Sequence, residues 1–113
     1  MLCVGSTAEI EEGTSKGFES EGHYLFAVKK DGALFLYKNQ CPHLGTPLEW
    51  QTDKFLDPDG TLIQCSTHGA LFEIESGRCL AGPCKGQYLK AVPFLDDNGL
   101  IMVDEKHLLG PAF

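Results

Sequence analysis

Residues that bend the backbone interrupt this chain so often that no long helix fits between them. Thirteen Gly and six Pro collect outside the apolar runs, notably at Pro42 to Pro47, Pro58 to Gly60 and Gly82-Pro83. The runs they separate have strand character. Tyr24 to Lys30 and Ala33 to Tyr37 flank Asp31-Gly32, and Gly accepts the positive φ of a tight turn, so this segment predicts a β-hairpin. Ala91 to Leu95 and Leu100 to Val103 repeat the arrangement around Asp96-Asp97-Asn98-Gly99, a second turn of hairpin chemistry. Thr61 to Gln64, and Leu71 to Ile74 before the turn Ser76-Gly77, predict further strands. Cys3 reads as a small apolar residue of a first strand, and only Ala8 to Glu12 suggests a turn of helix. Short strands with turn signals about every eight to twelve residues imply an all-β antiparallel sandwich or barrel.

The 113 residues are read as a single domain, residues 1–113. A chain of this size buries roughly 65% of its unfolded surface, enough for one core. Hydrophobic residues at 42% and charged residues at 22% argue against disorder. A formal charge of −7 disfavours nucleic acid, whose phosphates are gripped by clustered Lys and Arg. A basic or amphipathic partner surface fits the acidic balance better, with steering acting mainly on association rate. No segment approaches the ~20 apolar residues of a membrane span, and Met1 to Ser6 lacks the basic and apolar regions of a signal peptide. The expectation is a soluble, cytoplasmic protein without a membrane role. In a reducing compartment, five cysteines serve as metal ligands, reactive thiols or core filler rather than as a disulfide frame.

The chemistry concentrates in two loops. Cys41-Pro42-His43 and Cys65-Ser66-Thr67-His68 each set a thiol beside an imidazole, and 21 residues separate His43 from Cys65. Both follow strand-like runs and are rich in turn formers, so they read as two loops presented at one end of a sheet. The order Cys, His, Cys, His differs from a ββα zinc finger, which has both Cys first and both His on a following helix. A tetrahedral zinc site on the same four residues remains chemically sensible.

The pattern Cys-x-His, an intervening stretch, then Cys-x-x-His-Gly resembles the Rieske [2Fe–2S] signature, in which two His replace two Cys on one iron. The likeness extends through Cys41-Pro-His-Leu-Gly-Thr-Pro-Leu and His68-Gly-Ala-Leu-Phe-Glu-Ile-Glu-Ser-Gly. Gly82-Pro83 stands where the family carries a Pro-containing loop over the cluster, so the resemblance spans about residues 24 to 103. It implies one cluster per chain, with Cys41 and Cys65 on the inner iron and His43 and His68 on the outer iron. It also implies a β-sandwich or barrel base with a small cluster-binding subdomain over about residues 40 to 85. Two ferric ions, two sulfides and two thiolates sum to zero charge. Reduction is therefore easier than in an all-Cys cluster, and the imidazoles remain titratable.

The resemblance is closer to the soluble ferredoxins than to the respiratory branch. That branch adds a cysteine to each loop and a Ser hydroxyl after the second His-Gly. Thr46, Thr67 and Ala70 stand at those positions here. With fewer hydrogen bonds to sulfur, the potential is expected at the low end of the ~−150 to +300 mV class range.

Cys79 and Cys84 read as filler or reduced thiols, with a local disulfide or further metal site as the alternative. His23 and His107 read as ordinary surface histidines, and Asp53, Asp57, Asp59, Asp96 and Asp97 as solvated turns. Leu44 is expected to face the cluster or a partner, and Trp50 to pack or to shield. The implied function is one-electron transfer from a flavin-dependent reductase to a terminal oxygenase or other redox enzyme. The alternatives are a Rieske-like small subunit of a nitrite reductase-type enzyme and a structural zinc module. An independent catalyst is not expected, because 113 residues leave no room for a mononuclear iron domain with two His and a carboxylate.

Overall fold

The computed structural model describes residues 2–40, 48, 53–65, 69–82 and 85–108. Nine strands occur among them: β1 (Leu2–Ser6), β2 (Ser15–Ser20), β3 (His23–Lys30), β4 (Ala33–Lys38), β5 (Leu62–Gln64), β6 (Leu71–Glu73), β7 (Cys79–Ala81), β8 (Leu95–Asp97) and β9 (Leu100–Val103). They form three antiparallel sheets with strand orders β1-β9-β8, β2-β3-β4 and β5-β6-β7. The all-β expectation is met.

The central sheet owes its position to β3. Leu25, Phe26, Ala27 and Val28 are all buried, which a strand achieves only when both faces are covered. Phe26 and Val28 enter one core with Tyr37, Phe55, Ile63 and Phe72. Leu25 and Ala27 enter a second core with Val4, Leu36, Ile101 and Val103. The β2-β3-β4 sheet therefore lies between the other two. Phe26 stacks on Phe55 with ring centroids 4.4 Å apart and planes 6° off parallel, an arrangement that adds ~0.5–1.5 kcal/mol beyond area burial.

Three two-residue turns set the registers: Glu21-Gly22, Asp31-Gly32 and Asn98-Gly99. In each, both residues take positive φ, as the hairpin turn matched to strand twist requires. The Glu12 carboxylate accepts from the Asp31 and Gly32 amides at 2.7 and 2.8 Å, so it satisfies that turn from outside the hairpin.

Four details differ from the sequence reading. β8 begins at Leu95 and continues through Asp97, because Asn98-Gly99 alone makes the turn. Residues 91–94 stay irregular, bonded through Val92 N–H to the Leu36 carbonyl at 2.9 Å, and Pro93 has no amide to extend a ladder. The helical turn falls at Thr7–Glu9 as a 3-10 turn capped by Ser6, starting one residue and ending three residues earlier than expected. Strands β2 and β7 were not anticipated.

Candidate metal centre

The second loop grows out of β5. Ile63 and Cys65 are two residues apart, so they share the inward face of the strand, and both are fully buried. Beyond Cys65 the chain turns at once. Gly69 N–H donates to the Cys65 carbonyl at 2.9 Å, and Cys65 N–H donates to the Ala70 carbonyl at 2.8 Å. Gly69 takes φ +67, and Ala70 returns to the core immediately before β6. Where β7 ends, Gly82 lies against this loop. A Cβ at Gly82 would meet the Ala70 Cα at 2.8 Å, and its φ is +101, so both space and backbone require glycine there. Gly82 is thus seated against Ala70, at the end of the second motif.

The first loop leaves β4. Asn39 N–H donates to the Tyr24 carbonyl at 3.0 Å. Nine residues on, the fully buried Leu48 donates its N–H to Asn39 Oδ1 at 2.9 Å. Leu48, Cys65 and Ala70 belong to one core, so the feet of the two loops converge. Beside them Lys38 is buried, and its Nζ donates to the Leu108 carbonyl at 2.9 Å. Burial, and secondarily Lys90, hold its ammonium below the ordinary lysine pKa.

Of the four residues read as ligands, Cys65 is placed at this convergence. Cys41, His43 and His68 lie outside the described residues, as do Leu44, Thr46, Trp50, Thr67 and Cys84. Two thiolates and two imidazoles form the donor set that a two-His, two-Cys [2Fe–2S] cluster takes. A fully buried thiol at the foot of the second loop suits the inner, solvent-shielded iron, so the residues present fit the group. Among the described residues no cluster of three His, Cys, Asp or Glu is gathered.

Cys79 is buried and its Sγ lies 3.2 Å from the Ala81 carbonyl, in keeping with core filler. Cys3 lies on the first strand, β1, as expected, at an exposed position, and the buried position of that strand goes to Val4. His23 opens β3 and His107 lies in the 3-10 turn Glu105–His107, both half-buried. Asp57 and Asp96 build turns, accepting from Thr61 N–H at 2.9 Å and from Gly99 N–H at 2.8 Å; Asp53, read as a solvated turn, instead ties its segment to β2 by accepting from Gly17 N–H at 2.7 Å.

Residues 1–96 match the family described as the Rieske [2Fe-2S] domain. The chain belongs to that family. The Rieske domain carries a [2Fe–2S] cluster, and that is the cofactor of this chain. The Rieske fold is also seen directly: the Sphingomonas yanoikuyae B1 ferredoxin superposes with a TM-score of 0.73 at 30% identity, covering 91% of this chain and 96% of that one. The ferredoxin component of the naphthalene 1,2-dioxygenase system of Pseudomonas aeruginosa is 30% identical over 96 residues, 85% of this chain and 86% of that protein. The cytochrome b6-f complex iron-sulfur subunit of Chlorobaculum thiosulfatiphilum is 33% identical over 82 residues, covering 73% of this chain. The chain spans 41% of the length of that subunit.

Proposed function

We propose that this Rieske protein is a one-electron carrier that takes electrons from a flavin-dependent reductase and delivers them to a terminal oxygenase. Cys41 and Cys65 hold the inner iron as thiolates, and His43 and His68 hold the outer iron. The observation that carries the reading is the near end-to-end correspondence with a dioxygenase ferredoxin component, 85% of this chain against 86% of that protein. The bound cluster supplies a site that accepts and releases a single electron. The chain's own residues keep the inner thiolate Cys65 out of water and brace both loops on one core. Imidazole ligands on the outer iron would give a partner its point of approach.

The cluster-binding subdomain runs over about residues 40 to 85. That boundary is supported by β5, β6 and β7, by Leu48, and by the two motifs, all of which fall within it. We place the carrier in the cytoplasm, a reading supported by its likeness to a dioxygenase ferredoxin and by a cysteine usage suited to a reducing compartment. Among the described residues no helix is long and apolar enough to cross a membrane.

The test is reconstitution. With NADH, a flavin-dependent ferredoxin reductase and a terminal dioxygenase, product should form only when the chain is present. Turnover that is unchanged by adding or omitting the chain would overturn the proposal.

A further inference from the structure

The two ligand loops are closed at their feet by different means. The second is closed by its own backbone, through the bonds between Cys65, Gly69 and Ala70. The first is not: among the described residues, no backbone–backbone hydrogen bond joins Asn39 or Gln40 to Leu48. What joins them is a side chain, Asn39 Oδ1 accepting from Leu48 N–H at 2.9 Å. Both residues are buried, Asn39 at 5% exposure and Leu48 at none, so water does not compete for the bond.

Each side of this bond is itself fixed. The Asn39 amide is held to Tyr24 of β3, and the Lys38 amide to the Lys90 carbonyl at 2.9 Å. Leu48 is packed in the core that holds Phe55 and Cys65. A rigid strand end and a rigid core position are therefore tied across a nine-residue span that contains Cys41 and His43.

We propose that Asn39 is a positioning residue for the cluster: its carboxamide clasps the ends of the first ligand loop and fixes where Cys41 and His43 are presented. The inference rests on the ligand assignment above. Removing the carboxamide leaves a buried amide unpaired and frees the loop ends to separate. States in which a ligand has left the iron then become more populated. Neither Ala nor Ser places an acceptor oxygen at that reach.

The experiment measures how fast a ferrous chelator strips iron from the dithionite-reduced holoprotein, followed by loss of the cluster's visible absorption. Asn39→Ala should release iron roughly tenfold faster, equivalent to ~1.4 kcal/mol. Asn39→Ser takes the place of Ala if the latter does not accumulate, with the same expected acceleration. Tyr37→Phe, which deletes a buried hydrogen bond at the far end of β6, is the control for general destabilisation. It should lower the melting temperature without accelerating release.

An unchanged rate in Asn39→Ala or Asn39→Ser, or acceleration in Tyr37→Phe as large as theirs, would overturn the clasp. Cys41→Ser and His43→Ala run in parallel keep the two claims separate. If both retain a full Rieske spectrum, the ligand assignment has failed. If both lose it while Asn39→Ala releases iron at the parent rate, the clasp alone has failed.

Discussion

Ala70 lies one residue beyond the Gly of the second motif, buried, with the backbone of Gly82 packed against it. Its methyl group offers no donor to a cluster sulfur. The added negative charge of the reduced state is correspondingly less stabilised, and the midpoint potential should fall near the ~−150 mV end of the Rieske range. Ala70→Ser adds one hydroxyl donor. A hydrogen bond that favours the reduced state by ~1 kcal/mol raises a one-electron potential by about 40 mV, and a redox titration of the two proteins side by side reads that shift. A fall, or no shift, would remove the hydroxyl argument. At this scale the family was legible in the sequence, because Cys-x-His and Cys-x-x-His-Gly combine residue type with short spacing. The Asn39 bond was not, because an Asn at the end of a strand reads only as a turn residue and its partner Leu48 is nine positions away.

Among the strands, β4 ties the two cores together. Leu36 points into one core and Tyr37 into the other, and the Tyr37 hydroxyl donates to the Ile74 carbonyl just beyond β6. Burial, reinforced by the carboxylates of Glu75 and Glu73, pushes the Tyr37 phenol up from 10.0 to about 12. The unfolded chain then loses its phenolic proton first as pH rises. The stability held by the neutral hydroxyl is complete below pH ~10 and is lost as pH climbs toward ~12. Tyr37→Phe should cost about 1–2 kcal/mol near neutrality, and denaturant titrations should show that difference shrinking across the same alkaline window. A constant difference would contradict the assignment. The hairpin β3-β4 was legible because Asp-Gly lies between two apolar runs. Strand β2 was hidden, since Ser-Lys-Gly-Phe-Glu-Ser has one large apolar residue and is held by pairing along β3 rather than by its own pattern. Strand β7 is three residues long, too short for any periodicity to register.

Over the whole molecule, three sheets enclose two cores, and the feet of both ligand loops belong to the core shared by the β2-β3-β4 and β5-β6-β7 sheets. The proposed ligation would tie both loops to one rigid group, and cluster binding would then contribute to folding. Metal-free protein should melt at a lower temperature than holoprotein in a scanning calorimeter; equal melts would show that the loops need no such tie. The all-β architecture was legible from turn spacing. The layering was not, because only the burial of both faces of β3 reveals that its sheet is the middle one. The central claim, a two-His, two-Cys [2Fe–2S] cluster carrying one electron, is tested most directly by electron paramagnetic resonance before and after dithionite. Iron and sulfide are to be analysed on the same sample. The account predicts a silent oxidised state, a rhombic signal of low average g on reduction, and two iron and two sulfide per chain. Silence in both states with zinc in place of iron would contradict it.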